Sequence, residues 1–359
     1  MEIREIETIV TRIPTRDPIK HTRNVVLGFG RQVYVKVHTD DGIIGIGECW
    51  GFGAPKAYSE VIRESLRPIL LERDPLQIEQ VVIEMQRATS YYWQGIVSCA
   101  ISGVELALWD IKGKFHHKSV CEILGRRERD IVKAYATIPY KDRPEALVKT
   151  VSTLVQEGYR AIKINNTEPQ NIKAVRDIAG KGVEIMIDAH HSWNLKEAVR
   201  RLRELERYEV SWIEEPIWPP DDYDALSTIA SKTTIPLASG ENEYTLMGYR
   251  EMITKGAVSI LQPELTKVGI FTAKGVYSMV KASGLRIIPH CGNNYIGKAA
   301  TLNFLAHMRT DSMYENNTVG LKENPLNCRI EVTNGYATVP SGPGLGVELN
   351  EEVVSKYRG

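Results

Sequence analysis

An excess of charge of either sign is missing from this chain of 359 residues: 45 Lys and Arg balance 45 Asp and Glu, for a formal net charge of zero. That leaves no electrostatic case for a nucleic acid or a membrane surface as partner. Cysteine is scarce as well. The five residues, Cys49, Cys99, Cys121, Cys291 and Cys328, are odd in number, scattered and never spaced C-x-x-C, which argues against both a disulfide framework and a zinc site. No run of 18 apolar residues occurs, and Met1 leads straight into the strand-like E-I-R-E-I-E-T-I-V with no basic-then-apolar leader. The expectation is a soluble protein of a reducing cytoplasm. With 43% apolar and 25% charged residues, the composition is that of an ordinary globular protein, long enough for a sizeable core and two domains.

The informative stretch is 183–216. It contains V-E-I-M-I-D-A-H-H-S-W and, one helix-patterned segment (195–208) later, S-W-I-E-E-P. Each half reads as a short buried strand ending in acid, at Asp188 and at Glu214 and Glu215, so the stretch is a β-α-β unit with carboxylates at the strand exits. In parallel α/β sheets and barrels chemistry sits at those carboxyl ends. Similar exits recur at Lys163 and Asn165, Glu241, Glu264, His290 and Glu315. The steps from Lys163 through Asp188, Glu214, Glu241, Glu264 and His290 to Glu315 are 25, 26, 27, 23, 26 and 25 residues. One strand plus one helix per step is the period of a (β/α)₈ barrel, and V-K-A-Y-A-T-I near Val132 supplies its first strand.

Residues 1–130 do not follow that period. A strand over 3–12, a polar loop over 14–23, a hairpin turning at Asp41-Gly42, and helices over 56–71, 76–87 and 96–115 make an α+β capping domain. Two of its loops, 15–25 and 49–54, carry the candidate pocket-covering residues His21, Arg23, Trp50 and Phe52. The barrel is expected over 131–325. Residues 326–359 are too rich in Gly and Pro for a barrel helix and read as a tail returning to the cap.

Strand side chains alternate, so Lys163 and Asn165 share a face, Asp188 and His190 share a face, and one Glu of the E-E pair points inward. Asp188, Glu214 and Glu241 on consecutive strands would place three carboxylates side by side at the barrel mouth. An all-oxygen set of this kind suits a hard divalent cation, Mg²⁺ before others, whereas three buried acids without a cation would repel one another.

The set K-x-N, D-A-H-H-S-W, W-I-E-E-P, S-G-E-N, Q-P-E-L-T-K-V-G, P-H-C and Y-E-N resembles the mandelate racemase branch of the enolase superfamily, as do the helix A-I-S-G-V-E-L-A-L-W-D-I-K-G-K and the tail G-P-G-L-G-V-E-L. The resemblance spans essentially the whole chain. It implies an α/β fold, a modified TIM barrel (β/α)₇β with an N-terminal α+β capping domain completed by the C-terminal tail, and an even-numbered homo-oligomer. It implies Mg²⁺ on Asp188, Glu214 and Glu241, and removal of the proton next to a substrate carboxylate. His290 would be the base, Glu264 its carboxylate partner, Lys163 a cation beside the substrate carboxylate, Lys267 a cation near the metal ligands, and Glu315 a donor to the developing enolate.

Three positions depart from the branch's pattern. Its usual second lysine, two residues after the first, is Asn165, which removes one base and counts against a racemase or epimerase. Its usual Asn after the first metal ligand is His190, giving a D-x-H pattern that resembles acid-sugar dehydratases, where this His is acid or base. The usual Asp of the histidine dyad is Glu264. One firm base with a possible acid opposite is the equipment for β-elimination from a small sugar acid to a 2-keto-3-deoxy acid. The reaction would be either dehydration of an aldonate or aldarate or ring opening of an anhydro acid, since K-x-N resembles the 3,6-anhydro-L-galactonate type of cycloisomerase. A racemase, a lactonizing cycloisomerase and, last, a non-catalytic barrel are the alternatives.

Overall fold

Every second residue from Ile9 to Thr15 is buried, the signature of a strand covered on one face. The computed structural model describes residues 1–22 and 25–359, and the side chains of all of these except 19–22 and 25–27. It begins with an antiparallel meander of β1 (Ile3–Thr22), β2 (Val25–Thr39) and β3 (Ile44–Cys49). The turn between β2 and β3 holds Gly42 at φ 79°, where the D-G signal placed a hairpin. The polar loop expected over 14–23 is a correction: β1 continues to Thr22, pairing Pro14 with Phe29 and Ile19 with Leu27 across an irregularity. Backbone pairing in a two-stranded ribbon is indifferent to side-chain polarity, and polarity was the signal that suggested a loop.

Behind the meander lies helix Ile96–Phe115, apolar on all sides and mostly buried, as a helix enclosed by protein must be. It packs so closely on β3 that a Cβ on Gly47 would stand 2.0 Å from the Gly103 carbonyl oxygen. Only glycine fits there.

Eight parallel strands follow: β4 (Ile131–Ile138), β5 (Ala161–Ile164), β6 (Glu184–Asp188), β7 (Val210–Glu214), β8 (Leu237–Ser239), β9 (Ile260–Leu261), β10 (Arg286–Ile287) and β11 (Tyr314–Asn317). Strands β4 to β10 pair in chain order, and β11 pairs with β4 on its other side, which curls the sheet towards closure. Among the described residues seven helices alternate with these strands, and after β11 the chain leaves the barrel for the tail, whose short helix Glu351–Lys356 comes last, the (β/α)₇β arrangement. One inward residue per strand forms a closed apolar layer: Tyr135, Ala161, Met186, Trp212, Ala238, Ile260, Ile288 and Met313. The tail first adds a hairpin, β12 (Val332–Thr333) and β13 (Tyr336–Thr338), with β13 antiparallel to the start of β4. It then reaches the cap. Leu345 N donates to Asp110 Oδ1 at 2.8 Å, and Arg12 N donates to Tyr357 O at 2.9 Å.

Candidate active site

Two residues beyond the apolar layer, strand alternation brings the next inward positions to the mouth: Thr137, Lys163, Asp188, Glu214, Gln262, His290 and Glu315. Every one is polar. Strand β8 departs from the pattern, because Gly240 (φ 122°) occupies the position and the turn presents Glu241 instead. Thr137, Lys163, Asp188, Glu241, His290 and Glu315 floor a cavity of about 320 Å³, roofed from the cap by Phe29, Arg31, Trp50 and Phe52, with Glu214 and Gln262 buried just beneath.

The groups are densely paired. Lys163 Nζ lies 2.5 Å from Glu214 Oε1 and 2.8 Å from Glu315 Oε1, with 1% of its side chain exposed. Gln262 Nε2 donates to Glu214 Oε2 at 2.7 Å, and Thr137 Oγ1 donates to Glu315 Oε1 at 2.6 Å. His290 stands between two acids, Nδ1 at 2.8 Å from Glu264 Oε2 and Nε2 at 2.9 Å from Glu241 Oε2. Glu264 is itself held by Thr266 N and Oγ1 at 3.0 and 2.7 Å and by Gly292 N at 3.1 Å. Across the mouth, His190 is in the left-handed region (φ 44°). Its backbone N–H donates to Asp188 Oδ1 at 3.0 Å, and its Nε2 is 2.7 Å from Asn165 Nδ2. Lys267 Nζ donates to the Glu241 carbonyl at 2.7 Å and to Asn242 Oδ1 at 3.1 Å, and lies 4.3 Å from the Trp50 ring centroid. The Trp50 ring is 5.6 Å from that of His290.

Electrostatics follow from this packing. Burial pushes Asp188 and Glu214 up to about 7 although Lys163 opposes it. Burial would also raise Glu315, but Lys163 and His290 outweigh it and hold that carboxyl at about 2. Burial disfavours the charged forms of Lys163 and His290, yet the surrounding acids win and raise both well above their ordinary values. His190 is lowered, chiefly by burial.

Of the residues singled out from sequence, Lys163, Asn165, Asp188, His190, Glu241, Lys267, His290, Glu315, Trp50 and Phe52 line the one cavity. Glu214 is fully buried beside Lys163, and Glu264 is buried behind His290. Arg23 lies outside the described residues, and of His21 only the backbone, within β1, is described. The three carboxylates expected side by side are only partly so. Asp188 and Glu214 are paired in register on β6 and β7, but Glu241 is turned onto His290. Among the described residues no three acidic, Cys or His groups already converge as a coordination sphere. The donor chemistry nonetheless fits a hard divalent cation, being all oxygen and holding two carboxylates that burial leaves short of neutralisation.

Thr137 and Gln262 escaped the sequence reading, although parity from Tyr135 and Glu264 points to both. Glu215 reads from the sequence only as a strand-exit acid, without a role. Its φ of 45° turns it out of strand alternation to accept from Ser239 Oγ at 2.6 Å and Asn242 Nδ2 at 3.1 Å, and to pair with His191 Nε2.

Residues 4–125 match the family model of the mandelate racemase/muconate lactonizing enzyme N-terminal domain, and residues 146–353 match that of the enolase C-terminal domain-like family. The chain belongs to the mandelate racemase/muconate lactonizing enzyme family. It is therefore an enzyme of the enolase superfamily. Among its relatives, D-galactarolactone cycloisomerase of Agrobacterium fabrum is 33% identical over 91% of either chain. Arabinonate dehydratase of Saccharolobus solfataricus is 31% identical over 91% of this chain and 90% of that protein. The crystal structure of 3,6-anhydro-D-galactonate cycloisomerase from Zobellia galactanivorans superimposes with a TM-score of 0.87 over 100% of both chains at 29% identity.

Proposed function

We propose that this enzyme performs β-elimination on a sugar acid: the proton beside the carboxylate is removed, the oxygen on the next carbon departs, and a 2-keto-3-deoxy acid results. The observation that carries this reading is the asymmetry of the mouth. On one side His290 is backed through Nδ1 by Glu264 at 2.8 Å, an orienting pair that also supports an imidazolium. On the other side the position two residues after Lys163 is Asn165, hydrogen-bonded to His190 at 2.7 Å, in place of a second strong base. A 1,1-proton transfer needs a base on each face of the carbon. Elimination needs one base and an acid for the leaving oxygen, which His290 and His190 supply. The relatives named for cycloisomerisation or dehydration of sugar acids support the same class.

Removing a proton beside a carboxylate creates a second negative charge, and the barrier falls only if that charge is stabilised. Asp188, Glu214 and Glu241 would hold Mg²⁺, which supplies Lewis-acid stabilisation to the carboxylate. Lys163, buried and charged between Glu214 and Glu315, adds a fixed positive charge from the opposite side in a site that Trp50 and Phe52 help shield from water. His290 becomes the base once its Nε2 exchanges Glu241 for substrate. Lys267, anchored to the 241–242 backbone and facing Trp50, holds that turn while Glu241 changes partner.

The test is a panel of aldonates, aldarates and anhydro acids incubated with enzyme and Mg²⁺, read for 2-keto acid and for mass. Keto product with loss of one water means dehydration, and keto product without mass loss means ring opening. Racemised acid without keto product would overturn the reading.

A further inference from the structure

A second cavity of about 200 Å³ lies where the cap, the barrel and the tail meet, lined among others by Arg16, Lys298, Arg329, Tyr295, Asn316 and Asn324. Among the described residues no acidic side chain lines it. Each cation comes from a different segment: Arg16 from β1, Lys298 from helix Tyr295–His307 and Arg329 from the tail. Lys298 is 8% exposed, and among the described residues its ammonium makes no hydrogen bond and no ion pair within 4 Å, the buried Glu48 carboxyl feeling its charge only at longer range. Its neighbour is the Tyr295 ring, 4.8 Å from Nζ. A buried ammonium without a partner costs free energy unless a counter-charge arrives. The frame around it is built: Arg16 Nε donates to the Leu321 carbonyl at 3.2 Å, Arg16 N donates to Gly320 O at 2.9 Å, and Leu321 N donates to Tyr295 Oη at 3.0 Å.

We infer that this pocket is a binding site for a small oxyanion, a carboxylate- or phosphate-bearing molecule, separate from the site of catalysis. Three cations around one small concavity with amide side chains between them match an anion with several acceptor oxygens, and the guanidinium groups favour bidentate contacts. An anion seated there would tie β1, which pairs with the stretch of β2 that carries the roof residues Phe29 and Arg31, to the barrel and the tail. Asn317 lines both cavities, so the two share a wall.

Titration calorimetry of the full chain with inorganic phosphate and, separately, malonate, at ionic strength held constant with sodium chloride, tests the site. Saturable binding of at least one is expected, and the tighter of the two identifies the preferred group. Lys298→Met and Arg329→Gln should each weaken it about tenfold or more, as loss of a charged hydrogen bond does. Arg309→Gln, a change at an exposed arginine outside the pocket, should leave it unchanged. Arg329 is exposed, so its variant keeps the test open if Lys298→Met folds poorly. Absence of saturable heat, or equal affinity in wild type and Arg329→Gln, would overturn the assignment.

Discussion

Two groups of buried acids occupy this enzyme, and their partners differ. In the cap, Glu48 accepts from Ile296 N at 2.7 Å and Gly297 N at 3.2 Å. Glu105 accepts from Phe271 N at 2.6 Å and the Trp109 indole at 3.0 Å, and Asp110 accepts from Ile46 N at 3.0 Å and Leu345 N at 2.8 Å. Each of these carboxyls takes N–H groups from a distant segment and so fastens the cap to the start of helix Tyr295–His307, to the kink at Gly269 in helix Leu265–Ser283, or to the tail. At the mouth, Asp188, Glu214, Glu241 and Glu315 are met mainly by side chains, above all Lys163, His290 and Gln262. Backbone donors of packed elements cannot change partner without local unfolding, whereas side-chain partners can be exchanged for a cation or a substrate. The first group therefore suits stability, and the second suits the chemistry proposed above.

Breaking the second group should therefore cost turnover without costing the fold. Glu214→Gln, like chelation of the wild type, should reduce turnover by about a thousandfold or more, the scale of losing Lewis-acid stabilisation. Its urea midpoint should stay level or rise, since burial already disfavours the charged form of this carboxyl and Glu315 still neutralises Lys163. Full activity after chelation would sink the cation site. Next in size, His290→Asn should lose roughly 10²–10⁴-fold in turnover together with exchange of the α-proton in deuterated solvent. His190→Asn should slow product formation while exchange persists. Exchange that survives without His290 but vanishes without His190 would reverse the two roles.

Much of this division was legible in the sequence. The 23- to 27-residue steps between Lys163, Asp188, Glu214, Glu241, Glu264, His290 and Glu315 gave the barrel phase, because strand exits and chemistry coincide in such folds. Glycine geometry was less legible. Gly240 at φ 122° shifts the inward position to Glu241, and positive φ at Glu215 swings that side chain onto Ser239 and His191, which alternation alone does not foresee. The extension of β1 past Pro14 was hidden because pairing with β2 is a long-range property of the backbone. Glu48, in a strand, and Glu105, in an apolar helix, gave no sign of their partners, which lie 248 and 166 residues away.

Breaking the first group should reverse the pattern. Glu48→Ala leaves Ile296 N and Gly297 N without acceptors and opens a void under β3, a loss of about 2–4 kcal/mol in unfolding free energy. The bond-making groups at the mouth are untouched, so α-proton exchange by the folded fraction should continue at a rate within a few fold of wild type. Exchange lost as completely as in His290→Asn would show that Glu48 belongs with the chemistry.

The sharpest test of the distinction depends on the protonation of a single cap acid. Burial lifts Glu48 from an ordinary value of 4.5 to about 8, with Glu264 adding to the rise while the Ile296 and Gly297 N–H groups and Lys298 oppose it. The folded protein thus keeps a proton that the unfolded chain releases. Between pH 4.5 and 8 the unfolded state binds fewer protons, so this group's contribution is fully present below pH 4.5, falls as pH rises, and levels off above 8. Glu48→Gln keeps the acceptor oxygen and the shape but cannot ionise. Its stability relative to wild type should therefore increase steadily from pH 5 to pH 8 in urea unfolding. Asp188 and Glu214, also raised by burial, slope the same way but are present in both proteins and cancel in the difference. A difference flat across that range would mean that Glu48 is already ionised in the fold, with a countercharge nearby, and that it belongs with the exchangeable acids of the mouth.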